Sequence, residues 1–209
     1  MPRDEAWRRV ERARGLASPG EVRALYRDWA CRYDSDVYGE LQVVGTARIA
    51  ALLSLHLEAR PEAILDLGCG TGAAGAELKR LGVHPVDGLD LSPEMLAVAR
   101  SKGVYRHFIA ADLMAPLALA DGAYDAAISA GTFTTGHVCA SALPEIIRIL
   151  RPRGLFACVV ANGFWQAGGF EAIIGGLTGS GRLRILHDSL ERVRRDGPPE
   201  GRFLVLLRC

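Results

Sequence analysis

Apolar positions along the chain recur at two periods, and the switch between them divides the sequence. Over the first sixty residues the spacing is helical. "SPGEVRALYRDWACRYD" opens with Ser18 as N-cap, Pro19 at the first helical position and Glu21 completing a capping box. Val22, Leu25 and Trp29 then share a face. A second helix is predicted over Thr46–Ala59, stopped by Pro61. From Ala63 onward, short apolar runs alternate with helical patterns. Strands are predicted over Ala63–Leu67, His84–Leu89, Tyr105–Ala110, Tyr124–Ala130 and Leu155–Val160, several of them apolar enough to be buried on both faces. Helices are predicted over Gly72–Leu81, Pro93–Lys102 (capped by Ser92) and Ala142–Leu150. Such alternation builds a parallel sheet flanked by helices. The tail differs: "RLRILHDSLERVRRD" and "GRFLVLLRC" flank "GPPE" and read as an antiparallel hairpin at one edge. The expected architecture is an α/β domain with a seven-stranded, mostly parallel sheet. Residues 1–60 are its helical cap and residues 61–209 its core.

Composition narrows the partners. Of 209 residues 49% are hydrophobic and 23% charged, enough for one domain with a substantial core. Twenty-five basic residues against 24 acidic ones leave a net charge of +1, which speaks against a dedicated grip on nucleic acid. Arginines do cluster at Arg8, Arg9, Arg12 and Arg14, and again at Arg192, Arg194 and Arg195. Interleaved acids make both groups read as solvated faces. Cys31, Cys69, Cys139, Cys158 and Cys209 lack metal-finger or C-x-x-C spacing, so no metal is expected and a reducing cytoplasm fits. "MPRDEAWRRV" has no apolar secretory core, and no run reaches the ~18 apolar residues of a spanning helix. No membrane partner is therefore expected. The apolar "RFLVLLRC" offers an edge to a second chain, though a neighbour within the sheet satisfies it equally, so monomer and homodimer both stay open.

The chemistry concentrates in "AILDLGCGTGAAGAEL", Ala63–Leu78. It contains a literal G-x-G-x-x-G at Gly70, Gly72 and Gly75, a pattern associated with dinucleotides. Asp66 stands just before the loop, however. Like charges 4 Å apart repel by ~4 kcal/mol at an intermediate dielectric, so a pyrophosphate is unwelcome there. A ligand with an ammonium and a sulfonium is attracted instead. Carboxylates end three successive predicted strands: Asp66, then Asp90, suited to a ribose, then Asp112, suited to an adenine amine. S-adenosyl-L-methionine has every one of these groups, and on this reading the G-x-G-x-x-G is coincidental.

In these residues the chain resembles the class I S-adenosylmethionine-dependent methyltransferases. "LDLGCGTG" (Leu65–Gly72), "GLDLSPEML" (Gly88–Leu96), "AADL" (Ala110–Leu113), "DGAYDAAISAG" (Asp121–Gly131) and "LRPRGLF" (Leu150–Phe156) follow one another in that class's order. "YRDWACRYDSDV" (Tyr26–Val37) is further similar to the methyltransferase family named for the Williams–Beuren syndrome chromosomal region. The resemblance implies a Rossmann-like fold and methyl transfer. It implies that Asp66 holds the cofactor's ammonium, directly or through water, and that Gly68, Gly70 and Gly72 line its methionine. Asp90 takes the ribose, Leu91 and Met95 flank adenine, and Asp112 with the Leu113 amide reads the adenine edge. Ser129 and Ala130 face the methyl-donor centre, and Tyr33 closes over it. Leu91 and Met95 equally suit helix core.

Methyl transfer needs alignment above all, and positioning alone contributes on the order of 7–11 kcal/mol. His137, in "GTFTTGHV", is the candidate base if the acceptor must lose a proton, although an exposed or structural histidine fits that position too. His56 and His84 read as structural and His187 as edge-strand surface. Tyr38, Phe133, Thr134, Asn162, Phe164 and Trp165 are the candidate substrate contacts, with core packing the alternative for the aromatics. A small-molecule acceptor with a sulfur, oxygen or nitrogen nucleophile is expected. Two other readings stay open: a nicotinamide-dependent oxidoreductase, and a non-catalytic S-adenosylmethionine-binding module serving a partner protein.

Overall fold

Four consecutive buried side chains, Ile64–Leu67, form β1, a strand covered on both faces. The computed structural model of the chain describes residues 1–16 and 18–209. Around β1 lie β2 (Val86–Asp90), β3 (Phe108–Ala110), β4 (Tyr124–Phe133), β5 (Leu150–Ala161), β6 (Leu183–Arg192) and β7 (Pro199–Arg208), in the spatial order β3-β2-β1-β4-β5-β7-β6. Strands β1 to β5 pair in parallel, while β7 runs antiparallel to both β5 and β6. The expected seven-stranded mixed sheet and its C-terminal hairpin are therefore present. The apolar "RFLVLLRC" is not an edge: β7 is paired on both sides, and β6 is the outer strand.

Strand alternation sorts the core. Leu65 and Leu67 point to one face with Ala127, Phe156 and Leu204, covered by α6 (Leu143–Ile149) and α7 (Phe170–Gly179). Ile64, Val86, Ala126, Leu155 and Phe203 point to the other, covered by α3 (Gly45–His56), α4 (Ala73–Arg80) and α5 (Pro93–Ser101). Asp66, two residues from Ile64, shares this second face, a placement that matters for the site.

Several boundaries differ from expectation. The second helix ends at His56 rather than Ala59, and the predicted strands at His84 and Tyr105 begin only at Val86 and Phe108. Tyr105 is spent on packing, not pairing. β4 and β5 run longer than predicted, to Phe133 and from Leu150. The helix expected over Ala142–Leu150 is a short 3₁₀ turn, Ala140–Ala142, followed by α6. Glycine-rich α7 gave no helical signal in the sequence.

Of the expected cap, α3 packs into the sheet, whereas α1 (Pro2–Arg14), α2 (Pro19–Trp29) and a π-helical turn (Ser35–Glu40) form a small cluster of their own around Leu25, Trp29 and Val37. The Ser18–Glu21 capping box is made in full. Nearly buried Asp36 organises the cluster, accepting from Trp29 Nε1 at 2.7 Å and from Arg9 at 2.7 Å. Arg9 is thus not the solvated residue its cluster suggested. Neither is Arg194, whose guanidinium lies 4.5 Å over the Trp7 ring and bonds Glu200. Asp36→Ala leaves the buried Trp29 indole N–H without its acceptor and Arg9 with Glu5 alone, so urea denaturation should show a loss of about 2–3 kcal/mol.

Candidate functional site

The carboxyl ends of β1, β2 and β4 meet where the strand order reverses, which is where ligands of open α/β sheets sit. The turn after β1 is held from below: the amides of Gly68 and Cys69 donate to the Leu89 carbonyl at 2.8 and 2.9 Å. Gly68 has φ +69°, and a Cβ there would lie 2.3 Å from Thr132 Oγ1, so both conformation and space exclude a side chain. Asp90 clamps the turn, accepting from the Gly70 amide at 2.8 Å and from the Ser92 amide at 2.9 Å. Ser92 in turn caps α5 through the Met95 amide. The cap is tied down by Asp34, which accepts from Thr71 of the turn and pairs with Lys102.

Two adjoining cavities open above this floor. The first, about 360 Å³, brings together Tyr33, Gly68, Gly70, Asp90, Leu91, Met95, Asp112, Leu113, Ala130 and His137. The second, about 430 Å³, is bounded by Tyr33, Tyr38, Phe133, Thr134, Phe164, Ala130 and His137. Among the described residues, five border both: Tyr26, Tyr33, Ala130, Gly131 and His137.

Some sequence-based candidates lie elsewhere. Asp66 borders neither cavity; it is 1% exposed, beneath the turn, and accepts from the Tyr105 hydroxyl. Burial pushes its carboxyl up to about 7, against the pull of the Tyr105 bond and with a further push from Asp90. Gly72 is buried behind the turn against Ala99, Val104 and Tyr105. Ser129 is fully buried, its hydroxyl donating to the Leu67 carbonyl at 2.7 Å across the β1–β4 pair; it faces the strand, not the donor centre. Phe133 is 1% exposed and belongs chiefly to the core, edge-on to Phe156 and Phe170. Asn162 is exposed and outside both cavities, and Trp165 stacks on Phe170 beneath Arg202. The misplacements on the acceptor side share a cause: β4 and β5 continue past their expected ends, so the residues near those ends sit differently from expectation. Asp66 is instead buried because it alternates onto the α4–α5 face of β1.

The G-x-G-x-x-G also has a physical reason. A Cβ on Gly75 would meet the Tyr105 ring at 2.3 Å, and one on Gly88 would meet it at 2.8 Å. Gly75 is therefore a socket for the ring that carries the hydroxyl to Asp66.

Sequence reasoning missed two tyrosines as individual site residues. Tyr105 gave no signal, because its partners are 30 and 39 residues away. Tyr26 did give one: with Trp29 and Tyr33 it makes an i, i+3, i+7 stripe, and their rings contact at 4.8–6.0 Å. Burial raises the hydroxyls of Tyr26, Tyr33 and Tyr38, the last to about 12, and lowers His137, so these groups are neutral near pH 7. His56 bonds its own helix and His187 contacts Ser189, away from either cavity. Among the described residues no helix is long and apolar enough to cross a membrane, and no three His, Cys, Asp or Glu stand together as metal ligands.

Residues 65–158 match the family described as "Methyltransferase domain". Methyltransferase-like protein 27 of Homo sapiens is 34% identical over 151 residues, 70% of this chain and 60% of its own length. The 18S rRNA (guanine-N(7))-methyltransferase RID2 of Arabidopsis thaliana is 38% identical over 116 residues, 54% of this chain and 39% of its own. The chain thus spans less than two thirds of the length of either curated relative. A solved TehB-like methyltransferase from Corynebacterium glutamicum superposes with a TM-score of 0.64 at 23% identity, covering 89% of this chain and 99% of that one.

Proposed function

Because the chain belongs to the class I S-adenosylmethionine-dependent methyltransferases, we propose that it methylates a small molecule held in the second cavity, with S-adenosylmethionine in the first. The observation that carries this reading is the pair of cavities sharing one wall: acids and a glycine turn on one side, aromatic rings on the other. The first cavity fits the cofactor chemically. Gly70 opens onto it, where a Cβ would find only Met95 Cε at 3.6 Å, and Asp90, Asp112 and the Leu113 amide supply acceptors and a donor for ribose and adenine. Bound there, S-adenosylmethionine supplies a methyl group activated by a sulfonium.

The chain's own residues do the rest. Asp66 acts from beneath the turn, supplying negative potential under the cationic end of the ligand rather than touching it. Tyr33, Ala130 and Gly131 orient the two ligands at the shared wall, and Tyr38, Thr134 and Phe164 hold the acceptor. His137, neutral near pH 7, is the base where one is required. Excluding water lets these dipoles act in a low dielectric.

The near-balanced charge supports a small molecule over nucleic acid, since phosphate binding needs clustered free basic groups, and Arg9 and Arg194 are engaged in pairs. The unpaired thiols of all five cysteines support a cytoplasmic setting. Thermal-shift titration tests the assignment. S-adenosylmethionine and S-adenosylhomocysteine should each raise Tm, as ligands present at ~100 Kd stabilise by about 2.7 kcal/mol, while NAD should not. A shift with NAD alone would point to hydride transfer, and labelled methyl appearing in rRNA rather than in metabolites would overturn the small-molecule assignment.

A further inference from the structure

The wall between the cavities contains a hydrogen-bonded pair. Tyr26 Oη lies 2.7 Å from His137 Nε2, and His137 Nδ1 lies 3.1 Å from the Thr135 carbonyl. A carbonyl can only accept, so this network assigns the proton to Nδ1 and leaves the Nε2 lone pair for the Tyr26 hydroxyl. Both side chains border both cavities. The groups acting on them are Asp90 and Tyr33 on Tyr26, and Arg14 on His137. Burial favours the uncharged form of each, and the Nε2 lone pair, held on the Tyr26 hydroxyl, is the place in the pair for one more proton.

Resting on the methyl-transfer reading above, we propose that Tyr26 and His137 form a proton relay for a phenolic acceptor. Three observations point to that class. The second cavity is walled by flat rings (Tyr26, Trp29, Tyr33, Tyr38 and Phe164), which suits an aromatic body. The group facing the acceptor is itself a phenol, so a proton passes between oxygens of matched affinity. A relay is also needless for a neutral amine or a thioether, whose lone pairs are already free. In the step, the acceptor O–H gives its proton to Tyr26 Oη as the Tyr26 proton moves to His137 Nε2. The acceptor oxygen's electron pair forms the new bond to the methyl carbon, and the pair of the broken carbon–sulfur bond stays on sulfur. The sulfonium's positive charge disappears as an imidazolium appears, so the enclosed site keeps its net charge. The imidazolium then loses its proton to water on product release.

Two measurements test this. Calorimetry on protein saturated with S-adenosylhomocysteine compares phenol with its methyl ether, anisole. Phenol should bind about tenfold tighter, a difference of one hydrogen bond, and Tyr26→Phe should close the gap without changing anisole. Transfer of labelled methyl to ring-substituted phenols near pH 8 follows. Tyr26→Phe and His137→Ala should each slow phenol by roughly 10²-fold but spare 4-nitrophenol, which is already ionised in solution. Equal affinity for phenol and anisole in the wild type, no transfer to any phenol, or a uniform slowing of the whole series would each overturn the relay. Failure of S-adenosylhomocysteine to bind the wild type would instead sink the methyl-transfer reading beneath it.

Discussion

Replacing Asp66 with asparagine is expected to stabilise the ligand-free protein at mildly alkaline pH and to weaken its hold on S-adenosylmethionine. The two effects share one origin. The Asp66 carboxyl titrates near 7 in the fold against 3.8 as a free side chain, because burial penalises its charge. Between those values the folded state binds the extra proton. The stability contributed by Asp66 is therefore full below pH 3.8 and lost as pH rises through about 7. Above that, the buried anion costs roughly 2–4 kcal/mol, which asparagine removes while still accepting from Tyr105. Differential scanning calorimetry near pH 8 should show a Tm several degrees higher for Asp66→Asn, and near pH 5 a much smaller difference. A cationic ligand above the turn reverses the balance by favouring the anion. Cofactor affinity should then rise with pH through about 7 in the wild type, with a proton released on binding, and do neither in the variant. Equal cofactor affinity in both proteins across that range would remove Asp66 from the binding site.

Gly75→Ala should destabilise the fold by at least about 2–3 kcal/mol, against the helix propensity that favours alanine by nearly 1 kcal/mol. The added methyl would overlap Tyr105 Cε1 at 2.3 Å, and the ring it would displace is buried and packed edge-on against Phe108. Moving it also strips Asp66 of its hydroxyl donor. Gly176→Ala, in α7 with nothing within 4 Å of the new methyl, is the matched control and should stabilise slightly. Urea denaturation of the pair gives the sign directly. Two changes of like sign would mean the socket is roomier than the distances state.

These two cases mark where the sequence was legible. Asp66, Asp90 and Asp112 could be placed at successive strand ends because strand and helix periods locate ends without tertiary knowledge. The glycine turn followed from the same reasoning. Tyr105 could not be anticipated, because an aromatic residue before a strand looks the same whether it pairs, packs or carries a hydroxyl to a carboxylate 39 residues away. Ser129 was misjudged for a related reason. Alternation tells which residues share a face, but the strand's true end decides which of them emerges from it, and β4 runs on to Phe133. The acceptor side was the least readable, since the cavity that would hold it is assembled from α1, α2 and the ends of β4 and β5.

The sheet's order has a consequence for how the protein is made. β7 follows β6 in sequence yet lies between β6 and β5. A growing chain that has emerged only as far as residue 198 can zip β1 to β5 together, but β6 then has no strand to pair with and the β5 margin stands open. Synthesis of residues 199–208 closes both at once, so the β5-β7-β6 side of the sheet pairs in a single event rather than strand by strand.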